Sequence, residues 1–433
     1  MKKSYYNIPI PLNNNFLYLN TKSEGYTILS KKYHDFIENE KYDLIEKKIL
    51  SDLYDNGLLI EDDINEFQDL CREYTDSVNN DKTYYLTLIP SLDCNLNCWY
   101  CFESHIRGSR LNVQIKDHII KYILYLFEEK GVEVLHVMLF GGEPLLYFQE
   151  ELYPLLLKIK EVAQSINKLI YFSFITNGVL INEDFYPLFK NLKANFQISI
   201  DGYRDKHDTV KKLKNCNKST YDHIIKILFE LTNYYNAYIN LRINYDNNTL
   251  KRISEIINDI KKIDRKKINI HLERVWQTED YLNKDPEILK NVINSFLSSG
   301  FRVSYLNLFR RNISCKVSKY NQAVISYDGK VYKCSGRNFD EKMVEGYLLS
   351  NGQIKWDVDK LTQRLSINTF DNDMCRKCKL LPLCWGPCCQ KQMEASEKDF
   401  HKFCPLNHME MPLSDYILYR FNNEYVSQQL MNS

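Results

Sequence analysis

Apolar and polar positions change rhythm along the chain. Between residue 84 and about 300, short runs rich in β-branched and aromatic residues alternate with longer stretches of helical period. Strands are predicted at 84–90, 133–140, 169–176, 195–200, 237–243 and 267–272, with amphipathic segments such as QIKDHIIKYILYLFEEKG between them. Repeated strand–helix–strand units imply a parallel sheet with helices outside it. The fold class expected is α/β, a partial (β/α)6 TIM-like barrel. Ligands of such folds bind beyond the C-terminal ends of the strands.

Ahead of this region, residues 1 to about 80 read as a small α+β unit. YYNIPIP and NFLYLN flank the turn at Leu12-Asn13-Asn14-Asn15, a hairpin pattern. Helical patterns follow in SKKYHDFIENE, in DLIEKKILSDLYDNG, closed by Gly57, and in DINEFQDLCREYTDSV, with a short LLI before the last. NNDK (79–82) reads as a linker. Beyond residue 300 the alternation stops, and the remainder is cysteine-rich with a closing helical segment. The expected division is 1–82, 83–300, 301–411 and 412–433.

Hydrophobic residues make up 44% of the 433, enough for a core, and a net charge of +1 gives no sign of a polyanionic partner such as a nucleic acid. The N-terminal MKKSYYNIPIPLNNN lacks a signal-peptide apolar run, and no stretch reaches the roughly 18 apolar residues that span a bilayer. The expectation is a soluble cytoplasmic protein with no membrane partner. Thirteen cysteines then stand out. In a reducing compartment, spaced cysteines bind metal more often than they form disulfides.

SLDCNLNCWYCFES places Cys94, Cys98 and Cys101 in a C-x3-C-x2-C run directly after the first predicted strand. Four-iron clusters usually take four cysteines, so three leave one iron without a protein ligand. Zinc sites also use C-x2-C but favour four ligands, for which His105 is the nearest candidate. The triplet, with Tyr100 before its last cysteine, resembles the signature of the radical S-adenosylmethionine (SAM) superfamily. The resemblance implies a [4Fe-4S] cluster whose open iron chelates SAM. It also implies a 5′-deoxyadenosyl radical that abstracts a substrate hydrogen, with the protein supplying orientation and exclusion of water. Tyr100 is carried over with it to the cofactor site.

Further motifs extend the resemblance. Gly141-Gly142-Glu143-Pro144 follows the second predicted strand and is similar to the family's GGEP motif, which binds the SAM amino group. The glycines would let the backbone approach the ligand, and the loop carbonyls or Glu143 could accept from an ammonium. Thr176-Asn177-Gly178 and Ser199-Ile200-Asp201-Gly202 fall at family positions that imply Ser199 and Asn177 near the SAM ribose. Ordinary turn and cap chemistry is their alternative. His207-Asp208 resembles a pair that follows the fourth-strand motif, without an assigned role.

A second array follows: Cys315, Gly329 with Cys334 five residues on, then Cys375, Cys378, Cys384, Cys388 and Cys404. It resembles the SPASM domain of peptide-modifying radical SAM enzymes, with structural zinc as the alternative. The resemblance implies two auxiliary [4Fe-4S] clusters, one on Cys375, Cys378, Cys384 and Cys404 and the other on Cys315, Cys334 and Cys388. Where some relatives supply a fourth ligand, this chain has Asn321 between Tyr320 and Gln322. That leaves an open iron or the recruitment of Cys389. Asp328-Gly329 reads as a type I′ hairpin turn delivering Cys334. Cys71 and Cys216 read as ordinary thiols.

Two subfamilies fit: anaerobic sulfatase maturases and maturases of ribosomally made peptides. The former carry an Asp base directly after the hairpin cysteine, where this chain has Ser335, and a hydroxyl does not replace a carboxylate base unaided. The N-terminal unit resembles the winged-helix leader-recognition element of peptide maturases, which adds an extended peptide as a strand; a barrel-capping domain is its alternative. The reading is a maturase acting on a precursor peptide with a leader sequence, reduced by an external donor such as flavodoxin or ferredoxin. Crosslinking leads over epimerisation, because loss of two hydrogens needs an electron sink. Arg337 is a candidate for holding a substrate carboxylate or carbonyl, or a surface arginine. The catalytic base is not identified. A cluster-bearing scaffold without radical chemistry is the alternative from another class, and the GGEP loop argues against it.

Overall fold

A computed structural model describes residues 1–214, 218–278, 284–306, 313, 315–395 and 401–432. Cys216 lies outside them. The chain divides into two compact units. One combines residues 80–306, 320–362 and 422–433. The other combines 1–79, 307–319 and 363–421.

In the first of these, apolar alternation builds an eleven-stranded mixed sheet. Its strands are β1 (Thr83–Ile89), β2 (Val134–Leu139), β3 (Leu169–Thr176), β4 (Asn195–Ile200), β5 (Ile239–Tyr245), β6 (Ile268–Arg274), β7 (Arg302–Tyr305), β8 (Gln322–Ser326), β9 (Lys330–Tyr332), β10 (Gly346–Leu348) and β11 (Ile354–Trp356). The order is β7-β6-β5-β4-β3-β2-β1-β8-β9-β10-β11. From β7 through β8 every neighbouring pair is parallel, and β9 to β11 add on antiparallel. One face carries buried Leu88, Leu139, Phe174, Phe196, Ile198, Leu241 and Ile243. Rings of the helix Phe185–Leu192 pack on it, Phe189 against Phe174 and Phe196. Period-two alternation sends Gln197, Ser199, Asn240, Arg242, Asn269 and His271 to the opposite face, which is polar on β4 to β6.

The six predicted strands are present within two residues of their expected ends, and β7 is an additional parallel strand of four residues. Residues 320–362 extend the sheet because β8 pairs in parallel with β1, Gln322 opposite Tyr85. The boundary expected near residue 300 therefore does not separate all later residues from the barrel.

The other unit opens with the expected hairpin, Asn7–Leu12 against Asn15–Asn20, and a third antiparallel strand, Tyr26–Ser30. The helices Lys31–Glu38, Lys47–Asp55 and Glu66–Asn79 follow. This segment shares a core with the cysteine-rich residues: Ile10, Leu17 and Leu19 pack with Leu380, Leu383 and Ile417. Lys379 Nζ donates to Asn7 O at 2.9 Å. Buried Asn20 ties the segment together. Its Nδ2 lies 2.8 Å from Ser4 Oγ and 2.7 Å from Gly57 O, and its Oδ1 accepts from the amides of Lys22 and Ser23. Among the described residues no helix is long and apolar enough to cross a membrane.

Asn20→Ala leaves those amides and the Gly57 carbonyl unsatisfied. It should destabilise this unit by roughly 3 kcal/mol, read as a lowered denaturation midpoint; an unchanged midpoint would show that water replaces the carboxamide.

Candidate active site

The first cysteine triplet lies in the loop leaving β1, which Asp93 organises. Its Oδ1 accepts from the Cys94 amide and its Oδ2 from Gly108, each at 2.8 Å, and Lys214 lies 3.5 Å away. Burial pushes this carboxyl up, but the two amides and Lys214 outweigh it and hold it below its ordinary range. The loop is also stitched to residues 212–214: Asn97 N donates to Lys212 O, and Lys214 N to Asn95 O. Burial pushes the Cys94 thiol up to about 12 and Cys98 to about 11, with the neighbouring thiols adding to the rise. Cys101 is raised for the same leading reason. The three thiols thus stand within electrostatic reach of one another. His105 Nε2 lies 3.7 Å from Cys101 Sγ. Among the described residues no three His, Cys, Asp or Glu side chains converge on one metal ion; in a four-iron cluster each thiolate binds its own iron.

The GGEP loop after β2 meets this loop directly. Gly141 and Gly142 have φ of +89° and +46°, and a Cβ on them would collide with the Ile89 side chain and with the Asp93 carbonyl. The glycines therefore already serve a close approach of protein to protein. Glu143 N donates to Asp93 O at 2.9 Å. The Glu143 carboxyl is 1% exposed and accepts from Leu145 N, Thr176 Oγ1 and Asn177 N. These contacts make it a brace between the second and third strand ends. Pro144 follows in the same loop. Glu103, which sequence reasoning missed, accepts from Gly142 N, and burial raises it to about 7.

Asn177 donates to Asn95 Oδ1 at 2.8 Å, beside Cys94. Tyr100 sends its hydroxyl to Asp201 Oδ1, which also accepts from Asn244 Nδ2 at 3.0 Å. Ser199 Oγ accepts from Lys211 Nζ at 2.6 Å, and Lys211 lies 3.7 Å from Asp201 Oδ2, both side chains almost fully buried. Lys211 acts electrostatically on Cys98, Cys101 and Glu143. Lys211 and Asn244 carried no spacing signal, and Asp201 was read only as part of the fourth-strand motif. His207 gains a role: its Nδ1 accepts from the Asp201 amide at 3.1 Å, so Nε2 carries the proton to Thr220 Oγ1. Asp208 accepts from the amides of Thr220 and Tyr221.

In the other unit, Cys375, Cys378, Cys384 and Cys404 face one another. Burial first, then the other three thiols, push Cys384 up to about 12. Cys389 is buried against Arg364, its Sγ 3.6 Å from the Arg364 carbonyl. Cys315 and Cys388 are exposed in this unit, while Cys334 belongs to the sheet unit, where Gly336 N donates to its sulfur at 3.3 Å. Asn321 is committed elsewhere, donating to Asn80 O at 2.6 Å. Arg337 donates to the Gly336 carbonyl at 2.8 Å. The twelve described cysteines form no disulfide.

Residues 88–272 match the family model of the radical SAM superfamily. The cysteine-type anaerobic sulfatase-maturating enzyme of Clostridium perfringens is 24% identical over 341 residues, 72% of this chain and 91% of the relative. The radical SAM cyclopropyl synthase TigE of Paramaledivibacter caminithermalis is 23% identical over 401 residues, 83% and 80% of the two chains. Among solved structures, anSMEcpe with bound AdoMet and Cp18Cys peptide aligns at TM-score 0.55 and 20% identity, covering 81% of this chain and 98% of that one. Streptococcus suis SuiB bound to precursor peptide SuiA aligns at TM-score 0.50 and 16% identity, covering 92% and 98%. These likenesses show the fold.

His207 is fully buried, and burial with the Lys211 charge lowers it to about 4. A depressed histidine contributes stability that is present above its unfolded value of about 6.5 and lost as pH falls toward 4. Between pH 7 and 5 the loss should be roughly 2 kcal/mol. His207→Asn, which keeps an acceptor for the Asp201 amide, should lack that part of the pH dependence in urea titrations; identical pH slopes would refute it.

Proposed function

On the premise that this chain is a radical SAM superfamily enzyme, we propose that it modifies a ribosomally made precursor peptide, most simply by forming a crosslink. The site's residues fit a three-thiolate cluster with SAM. Three thiols share one loop, and buried Asn95 Nδ2 and Asp201 Oδ2 lack hydrogen-bond partners beside them. When bound, that pair supplies a carbon-centred radical able to take a hydrogen atom from an unactivated C–H bond. Cys94, Cys98 and Cys101 would hold the cluster. Lys211 would offer an ammonium to the methionine carboxylate, the carbonyls of residues 141–144 would accept from its amino group, and Ser199 and Asn177 would hold the ribose, as the family resemblance implies. Glu143, with its oxygens given to protein donors, orients the loop. Tyr100, tied to Asp201, fixes the cysteine turn.

In the same reading, Cys375, Cys378, Cys384 and Cys404 hold one auxiliary [4Fe-4S] cluster. Cys315, Cys334 and Cys388 hold another with an open iron, since Asn321 and Cys389 are engaged elsewhere. A crosslink removes two hydrogens from the peptide, one as an atom and one as a proton with an electron. The array gives that electron a destination.

The observation that carries the peptide reading is the N-terminal sheet. Its outer strand Tyr26–Ser30 pairs on one side only, and Ile28 on it is 49% exposed. The opposite edge, Asn7–Leu12, holds Pro9 and Pro11, which cannot donate to an added strand. A leader peptide would extend the sheet at Tyr26–Ser30. The likeness to peptide-bound SuiB, which covers 92% of this chain, supports the same reading. A second reading, formylglycine formation on a sulfatase, is favoured by the Clostridium perfringens relative and opposed by Ser335.

Incubated with a candidate precursor peptide, the enzyme should protect amides of Tyr26–Ser30 from hydrogen exchange. With reductant and SAM added, the peptide should lose two hydrogens by mass. Protection elsewhere would move the recognition site, and an aldehyde on a sulfatase cysteine or serine, with the peptide untouched, would establish the second reading.

A further inference from the structure

The N-terminal residues reach the cysteine loop of their own unit through side chains aimed at its backbone. Tyr5 Oη donates to the Lys377 carbonyl at 2.7 Å, and the Thr21 hydroxyl donates to the Lys379 carbonyl. The carbonyls on either side of Cys378 are thus held by residues more than 350 positions earlier. Lys379 answers in the other direction, its Nζ donating to Asn7 O at 2.9 Å. Cys378 itself packs in two apolar clusters, one with Tyr6 and Leu70 and one with Ile10, Leu17 and Leu19. All these residues belong to one compact unit.

Thr21 is fully buried and directly follows the strand Asn15–Asn20. Its hydroxyl has one proton and two carbonyls in reach. Tyr6 O lies 3.4 Å away and already accepts from the Thr21 amide at 3.1 Å, so the proton goes to Lys379 O. That carbonyl shares a peptide plane with the Leu380 amide, and in a trans peptide the two point in opposite directions. The Leu380 amide hydrogen-bonds the Cys378 sulfur, as does that of Leu381, which also gives to the Cys378 carbonyl at 3.0 Å. Thr21 therefore fixes one side of a plane whose other side faces the sulfur.

Hydrogen bonds to the sulfurs of an iron–sulfur cluster help to set its reduction potential, because they favour the form that carries the extra electron. A donor on the carbonyl also polarises the peptide and strengthens its N–H. We propose that Thr21 is a positioning residue for an auxiliary cluster. Through the Lys379–Leu380 peptide it orients the Leu380 amide on Cys378 and raises the potential of the cluster bound there. The N-terminal residues are then part of the cluster's site and not a separate module. The proposal rests on the reading of Cys375, Cys378, Cys384 and Cys404 as one ligand set; the hydrogen bonds do not.

An anaerobic redox titration of the reconstituted full-length enzyme, followed by electron paramagnetic resonance, tests this. The signal of this cluster is the one missing from Cys375→Ala/Cys378→Ala, whose iron content should fall by about four. Thr21→Val keeps the shape and removes the proton. It should lower the midpoint of that signal by a roughly tenfold change in the reduction equilibrium, about 59 mV for one electron, with the other signals unmoved. Thr21→Ser, which restores the hydroxyl, should titrate as the unaltered enzyme does. An unmoved midpoint in Thr21→Val, or an equal fall in Thr21→Ser, would overturn the inference. If Thr21→Val does not load the cluster, iron content takes the place of the midpoint: loading by Thr21→Ser sustains the inference, and loss in both overturns it. Unchanged iron in the double cysteine variant would overturn the ligand set and the inference with it, and is read independently of any Thr21 variant.

Discussion

One aspartate joins the loops on which this site depends. Asp93 holds the cysteine turn through its carboxylate, on the amides of Cys94 and Gly108, and holds the GGEP loop through its carbonyl, on the Glu143 amide. Glu143 passes the constraint to Thr176 and Asn177 at the end of β3, and Asn177 returns it to Asn95 in the cysteine loop. The circuit closes. The links through the Asp93 and Glu143 carboxylates are buried or half-buried hydrogen bonds to a charged group, worth about 1.5–3 kcal/mol each, while Glu143 N to Asp93 O and Asn177 to Asn95 join neutral groups. Three thiols can be presented together because this circuit leaves their loop little freedom.

The sheet supplies the second constraint. Its apolar face takes the helices, so every alternate residue is delivered to the other face at a level set by register. Ser199 and Arg242 share a level for that reason and no other. Asn244, two residues above Arg242, reaches Asp201 and Tyr100, so the strand ends and the cysteine turn share one polar network. The account that results is an enzyme whose reactive groups are borrowed from cofactors and whose protein groups position them.

What was legible in the sequence was local. The triplet, the GGEP loop and the six longer strands announce themselves by spacing or period within a dozen residues. β7 escaped because four residues, RVSY, carry too little alternation to separate from a loop. Lys211 and Asn244 escaped because they meet the cysteine loop only after the chain has passed through three more strands, with Asn244 on a fourth. Glu143 was legible as a residue of the site, but not its hydrogen bonds to Thr176 and Asn177, more than thirty residues on. The glycines before it were read as room for a ligand, yet φ and the Asp93 carbonyl already require them. The shared core of Ile10 and Leu383 follows from packing between segments more than 370 residues apart, which no linear pattern encodes.

The most direct measurement is electron paramagnetic resonance of a variant stripped of the second array, with Cys375, Cys378, Cys384, Cys388 and Cys404 replaced by alanine. The account predicts that about four irons per chain remain. It also predicts that the reduced cluster's spectrum changes on adding SAM and that 5′-deoxyadenosine appears. A protein that keeps those irons but shows the same spectrum with and without SAM, and yields no 5′-deoxyadenosine, would contradict the assignment of Cys94, Cys98 and Cys101 as the cofactor-binding set.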